Sequence, residues 1–331
     1  MKTILTGIKP TGQIHIGNYL GAMKPAIEAC KLSQDTSYLF IADYHALTAT
    51  HDKATFQEMV YEVAAAWIAC GIDPKKTVVY LQSDVPEIFE LAWILSCFTP
   101  KGFMNRAHAY KAKIAENEQN GKKDLDFGVN MGLFNYPVLM TADILAFDAH
   151  EVPVGEDQIQ HLEFARDIAQ KFNNNYGETL KMPNPIKKGE AKLITGIDGR
   201  KMSKSYSNSI PLFAPEKKLR KLVMKVKTDS LAPEAPKDPE GSLPLEYFKE
   251  FATDEEVKIM LGRYKEGVAW GDVKQNLFEV MNREISPMRQ VYDDLMADKS
   301  SIDAVLKEGA SKARERSQDV ISRVRMAIGK R

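Results

Sequence analysis

A chain of 331 residues has room for one large or two ordinary domains with ample core. Its apolar fraction of 44% and charged fraction of 27% are those of a globular protein, and 45 basic against 45 acidic residues cancel, so total charge says nothing in favour of a polyanionic partner. Cys30, Cys70 and Cys97 are widely spaced with no CxxC pair, and each sits in an apolar helical pattern, which argues against a zinc site or a disulfide framework and for buried free thiols in a reducing cytoplasm. Glycine and proline interrupt the N-terminus by residue 10, unlike a signal peptide, and no run of about 18 apolar residues occurs. The expectation is an intracellular chain with no membrane contact.

Thr3 to Thr6 reads as a buried strand, broken by Gly7, Pro10 and Gly12 before an amphipathic stretch begins near Asn18. Strand, Gly/Pro loop and helix start, in that order, gather backbone N–H groups and the positive end of a helix dipole where an anion can sit. His15-Ile-Gly-Asn18 lies at that entrance: the imidazole can donate to a phosphate, and Gly17 lets a flat group approach the backbone. Asn18 to Lys31 carries Leu20, Met23, Ile27 and Cys30 at helical spacing. Tyr38 to Ala42 is a second buried strand, ending in Asp43-Tyr44-His45. Thr55 to Cys70 is a helix stopped by Gly71 and Asp73-Pro74, and Val78 to Leu81 is a third strand, ending in Gln82-Ser83-Asp84. The alternation predicts an α/β chain built on a Rossmann-like, doubly wound parallel sheet, whose ligands bind at the carboxyl ends of its strands. The first turn, Asp43 to His45 and Gln82 to Asp84 all fall on that edge, where Gln82 and Ser83 are read as supporting groups.

Glu87 to Ser96 and Arg106 to Asn117 read as helices, the second followed by a polar, Gly-containing loop to Asp126. Leu133 to Phe147 is apolar almost throughout, with Asp143 as the interruption. A carboxylate there is either a satisfied structural group or a site residue, because burying it without a donor is costly. Glu151 to Val154 is another strand. It runs into Gly155-Glu-Asp-Gln158 and a helix striped with Ile159, Leu162, Ala165, Ala169 and Phe172. The acids and amide of that turn suit an amino group or a ribose. Lys181 to Gly199 is rich in proline and glycine, with a strand expected at Leu193 to Thr195. Asp198 to Ser205 then sets two lysines three apart among hydroxyls, a cationic arm. Beyond Pro211 helices are expected at Leu219 to Lys227, Leu245 to Phe251, Asp254 to Gly262, Val273 to Asp294 and Asp303 to Gly329, with Asp229 to Pro244 irregular. Glu216 to Lys227 holds six basic residues against one acid, and Ser311 to Arg331 seven against two. Each run is either a nucleic-acid-facing surface or a solvated helix face.

Three stretches that are weak singly are specific together. Pro10 to Asn18 resembles the HIGH signature of class I aminoacyl-tRNA synthetases, with Asn in the last place. Lys201-Met-Ser-Lys-Ser205 is the full KMSKS signature of that class, in the right order and about 185 residues later. Met140 to Leu145 and Val152 to His161 are similar to the tryptophanyl rather than the tyrosyl branch, in its bacterial type. The resemblance covers essentially the whole chain. It implies a Rossmann-like catalytic domain over 1–205 and a helical anticodon- and tRNA-binding domain over 206–331, whose last helix can pack back on the first.

The activity implied is ATP-dependent activation of L-tryptophan to tryptophanyl-adenylate and pyrophosphate, then transfer to the 2′-OH of the terminal ribose of tRNA(Trp), by a cytoplasmic homodimer. Mg2+ comes with ATP and has no dedicated protein site. Such chemistry needs positioning and positive charge, not a protein nucleophile. The resemblance makes His15, Asn18, Lys113, Lys201 and Lys204 catalytic. It completes the ATP site with Lys9, Pro10, Thr11, Gly17, Gly155, Glu156, Asp157, Leu193, Met202, Ser203 and Ser205. It gives Asp143 the indole N–H and places Met140, Tyr136, Gln158, His45, Leu5, Gly7, Val152 and Val154 around the amino acid. Indole offers one donor on a large apolar body, so one buried acceptor between apolar walls is selective for it. Lys9 and Leu5 depart from the Gln and Phe common in the family. The competing readings are tyrosyl-type specificity, a small-molecule nucleotidyltransferase with an HxGH-type turn, and a non-enzymatic binding paralogue. The KMSKS signature and the basic helical extension count against the second. Intact His15, Lys201, Lys204 and Asp143 count against the third.

Overall fold

The computed structural model describes residues 2–32, 36–154, 159–187, 194–203 and 206–330, without the side chains of Leu32, Val154 and residues 185–187. Five strands form one parallel sheet in the order β3-β2-β1-β4-β5. They are β1 (Thr3–Ile8), β2 (Thr36–Ile41), β3 (Thr77–Leu81), β4 (Glu151–Val154) and β5 (Asn184–Lys187). The first four are the apolar runs expected as strands. The fifth is a correction. Leu193 lies outside the described residues, and Thr195 makes only an isolated antiparallel bridge with Lys201. β5 carries Pro185, which reads as a strand breaker, but it is the edge strand of the sheet, where a missing N–H is tolerated.

Side chains alternate across the sheet, and each set has its own core. Leu39, Ile41 and Val79 pack with Trp67 and, from the C-terminal third, Leu219, Leu245, Tyr264, Leu277, Met281 and Ile302. Leu5, Tyr38, Phe40 and Tyr80 pack on the other face with Leu91, Val138, Ala142, Phe147, Leu162 and Phe172. β2, buried along Ser37 to Ile41, is covered on both sides, which explains its unbroken apolar run. β1 pairs with β2 along its whole length, but with β4 only through Ile4 and Glu151. Strand order reverses between β1 and β4, and there a doubly wound sheet opens a crevice at its carboxyl edge.

Leu133 to Phe147 is largely a helix, Met131–Leu145, capped by Asn130 and with Pro137 inside it. The C-terminal third forms the helices Glu216–Val223, Leu243–Phe251, Asp254–Glu266, Trp270–Ala297 and Lys299–Ala327. The last crosses back over β3, so closely that a Cβ at Gly309 would lie 1.8 Å from the carbonyl oxygen of Val79. Its basic run is not a free surface. Arg314 pairs with Glu87 at 3.2 Å, Arg316 and Arg323 pair with the buried Asp148 at 3.0 and 2.7 Å, and Arg325 and Lys330 both pair with Glu90. That run clamps the helix to the sheet domain, which corrects its reading as a nucleic-acid face. In the other run Lys217, Lys218, Arg220, Lys221, Lys225 and Lys227 are all exposed. Among the described residues no helix is long and apolar enough to cross a membrane.

Candidate active site

A cavity of about 630 Å³ opens at the crevice between β1 and β4. Its walls are Leu5 and Gly7 from β1, Phe40 from β2, Val152 from β4, and Tyr136, Met140 and Ile144 from the Met131–Leu145 helix. Gly7 is needed where it stands, since a Cβ there would come within 2.4 Å of the Phe40 ring. Asp143 also lines the cavity, completely buried. Its carboxylate accepts hydrogen bonds from Gln82 Nε2 at 2.7 and 2.9 Å, and its Oδ2 lies 2.8 Å from His45 Nε2. Three elements thus meet at one carboxylate: the ends of β2 and β3 and the apolar helix. The Tyr136 hydroxyl lies 3.1 Å from His161 Nε2, and burial pushes the phenol up to about 12, so it stays a neutral donor and acceptor.

The other end of the site is the first turn. His15 is the N-cap of a helix that begins at Ile16, two residues before the expected start. The imidazole Nδ1 accepts from the Asn18 N–H at 3.3 Å, and Asn18 Oδ1 accepts from the His15 N–H at 3.1 Å, a reciprocal cap that fixes both side chains. A π-helical turn over Tyr19–Met23 leads into the helix Lys24–Leu32. The Ile16 N–H donates to Ile210 and the Leu212 N–H to Ile14, each at 2.9 Å, which ties this turn to the segment after the lysine loop. The loop itself touches the turn, where the Gly17 N–H donates to Met202 Sδ at 3.3 Å. Any side chain at Gly17 would crowd His15 Nδ1 and Met202 Sδ, at 3.0 and 3.1 Å.

Asn208, buried behind the loop, organises it. Its Oδ1 accepts from the Ser203 N–H at 2.8 Å, and its Nδ2 donates to the Lys201 carbonyl at 3.0 Å and to Asp198 at 2.8 Å. The Arg200 N–H and the Asn208 amide together hold the Asp198 carboxyl down at about 2. Lys201 stays exposed at the loop's start, a cation beside the glycine turn. Lys9 reaches Thr48 Oγ1 at 3.2 Å on the cavity wall, where desolvation lowers its ammonium below the usual lysine range.

Of the residues expected around the substrates, Leu5, Gly7, Lys9, His45, Tyr136, Met140, Asp143 and Val152 line this one cavity. His15, Gly17, Asn18, Met202 and Ser203 form the adjoining turn and loop. Pro10 and Thr11 belong to the loop between them and are not lining residues. Lys113 is not brought in: it pairs with Glu116 at 3.1 Å, and its helix, His108–Gln119, offers Ala109 to the cavity instead. Gly155, Glu156, Asp157, Gln158, Leu193, Lys204 and Ser205, with the side chain of Val154, lie outside the described residues. Sequence reasoning missed Phe40, His161 and Asn208. Phe40 stood in the expected strand Tyr38 to Ala42, but its place opposite Gly7 comes from the register of β1 with β2.

A capped glycine turn touching a lysine loop, beside a buried carboxylate at the switch point of a parallel sheet, is the equipment of a class I synthetase. Over residues 1–286 the chain matches the family of tRNA synthetases class I (W and Y). A tryptophan–tRNA ligase of Neisseria meningitidis serogroup A is 48% identical over 328 residues, which cover 99% of this chain and 98% of that protein. The crystal structure of tryptophanyl-tRNA synthetase from Campylobacter jejuni, complexed with ADP and tryptophan, is similar with a TM-score of 0.90 at 43% identity, over 99% of both chains. That of the Mycoplasma pneumoniae enzyme has a TM-score of 0.80 at 26% identity, over 99% of this chain and 98% of that one. The chain belongs to the tryptophanyl-tRNA synthetase family.

Proposed function

We infer that this site activates L-tryptophan with ATP and passes the tryptophanyl group to the terminal ribose of tRNA(Trp). The observation that carries the reading is Asp143, the one carboxylate among the described residues lining the cavity, completely buried beside the apolar Leu5, Phe40, Met140, Ile144 and Val152. Indole presents a single N–H on a large apolar body, and a substrate without that donor would leave the carboxylate's free lone pair unmatched. In this reading the ring lies among Leu5, Met140, Val152 and Val154 with His45 lining the pocket, and Tyr136 and Gln158 take the amino and carboxylate end.

ATP lies along the first turn. Gly17 supports the adenine, His15 and Asn18 meet phosphates or ribose, and Lys9, Pro10 and Thr11 form the loop beside them. Gly155, Glu156 and Asp157, with Leu193 flanking, meet the ribose. A carboxylate oxygen of tryptophan attacks the α-phosphorus in line. One O–P bond forms as the bond to pyrophosphate breaks, and the charge leaving with pyrophosphate is met by Lys201 and Lys204, with Ser203 and Ser205 and with Lys113 released from Glu116. Mg2+ enters with ATP, held by its phosphates and water. No covalent enzyme intermediate is needed. In the second step the 2′-OH of the tRNA terminus attacks the mixed anhydride and AMP leaves.

Residues 1–205 are assigned to catalysis and 206–331 to tRNA, whose phosphates suit the exposed lysines of Glu216–Val223 and the turn after it. A homodimer accords with Trp93, 74% exposed on the helix Pro86–Ser96, and a cytoplasmic setting with three free cysteines, of which Cys70 is buried as expected, Cys30 half-buried and Cys97 exposed. The test is Asp143→Ala. The KM for tryptophan should rise by about 30-fold or more with the KM for ATP unchanged within about twofold, the scale of a lost hydrogen bond to a charged group. Equal loss for both substrates would contradict the assignment.

A further inference from the structure

Gln82 follows β3 directly and is itself assigned no contact with substrate. Its side chain is completely buried, and all three of its contacts lie at the tryptophan end of the cavity. Oε1 accepts the backbone N–H of Tyr44 at 3.2 Å. That contact decides which way the amide faces, because a flipped amide would set donor against donor there and acceptor against acceptor at the carboxylate. Nε2 then donates to both oxygens of Asp143, at 2.7 and 2.9 Å. A carboxylate has about four lone-pair sites. Gln82 and His45 take three of them, and Asp143 still lines the cavity, which leaves one for a ligand. His45 meets only Oδ2, so by itself it would let the carboxylate rotate about that contact.

We propose that Gln82 is a positioning residue for amino-acid selection: its amide, locked by Tyr44, holds the Asp143 carboxylate at the angle from which a lone pair meets the indole N–H. This rests on Asp143 being the indole acceptor. Gln82 bridges the ends of β2 and β3 to the Met131–Leu145 helix, so the acceptor's geometry is set by the sheet.

The experiment is ATP–pyrophosphate exchange by the full chain with tryptophan and with β-(3-benzothienyl)alanine, which keeps the bicyclic shape but has sulfur in place of the ring N–H. Gln82→Met retains length and burial and removes the donor. It should raise the KM for tryptophan about 10- to 100-fold, the effect of losing a hydrogen bond to a charged group. The KM for the sulfur analogue, the KM for ATP and kcat should stay within about threefold, so that selectivity for tryptophan over the analogue falls about tenfold or more. A merely structural role would raise both amino-acid KM values alike, and that result, or unchanged selectivity, overturns the proposal. If Gln82→Met does not fold, Gln82→Asn takes its place: one methylene shorter, it cannot reach Tyr44 and Asp143 together, and the same selective loss is expected. Asp143→Ala in parallel separates the two claims. If it leaves selectivity intact, the acceptor reading fails and the proposal with it. If it abolishes selectivity while the Gln82 variants do not, the positioning role alone is refuted.

Discussion

Replacing Gly309 by alanine sets helix propensity against packing. The residue lies inside the helix Lys299–Ala327, where an added methyl favours the helix by about 1 kcal/mol. That methyl would stand 1.8 Å from the Val79 carbonyl oxygen and 2.6 Å from its carbonyl carbon. Val79 is held in the β2–β3 ladder opposite Leu39, so its backbone cannot yield without cost. A tolerable C···O approach is about 3.3 Å. Subtracting the 1.8 Å available leaves the helix to withdraw by about 1.5 Å. Leu306, Ala310 and Ala313, all buried on that face, would lose contact together. Overpacking costs about 1–3 kcal/mol, and a shift of this size belongs at the upper end. Net of propensity the variant should lose about 2 kcal/mol, which lowers Tm by about 4 °C. Thermal unfolding by circular dichroism reads this directly. Gly262→Ala is the matched control: it lies inside Asp254–Glu266 with nothing within 4 Å, so it should gain the propensity term alone. Gly309→Ala melting at or above the wild type would refute the packing argument.

Two further outcomes follow from the loop and from the clamp. Asn208→Ala removes the acceptor for the Ser203 N–H and the donor to the Lys201 carbonyl, so kcat for adenylate formation should fall about tenfold with the KM for tryptophan unchanged within about twofold; steady-state exchange separates the two, and a change in the tryptophan KM alone would contradict the loop's role. Glu90 is held down at about 2, chiefly by its hydrogen bond from Arg325. Its folded value is below the unfolded one, so its contribution to stability is present above the ordinary 4.5 and lost as pH falls towards 2. Melting curves of wild type and Glu90→Gln should differ at neutral pH and converge between pH 4.5 and 2.5, and a constant gap would count against the clamp.

Apolar runs announced β1 to β4 because each strand carries buried positions, β2 along nearly its whole length, and Asp143 stood out because a charge interrupting such a run needs a reason. β5 was hidden by Pro185, whose meaning depends on whether a strand is central or at the edge, and that is a property of the finished sheet. The two basic runs look alike in charge. One is exposed, and the other is paired with Glu87, Glu90 and Asp148, residues more than 160 positions away in the chain. Gln82 was placed on the right edge, but its contact with Asp143 depends on the alignment of β2 with β3 and on how the Met131–Leu145 helix lies across them. Asn208 gave no signal at all, since a single amide in a loop has no period and its partners are mostly backbone. Lys113 shows another limit: helical spacing puts it on a face, but its pairing with Glu116 there is seen only in the folded helix.

The most direct measurement is ATP–pyrophosphate exchange by the purified chain with tryptophan and with tyrosine, each as the sole amino acid. Tryptophan should support exchange, and tyrosine should do so with a kcat/KM lower by about 10⁴-fold, the discrimination available to a pocket built around one buried polar contact. Exchange that tyrosine supports as well as tryptophan, or that tryptophan does not support, would contradict the account.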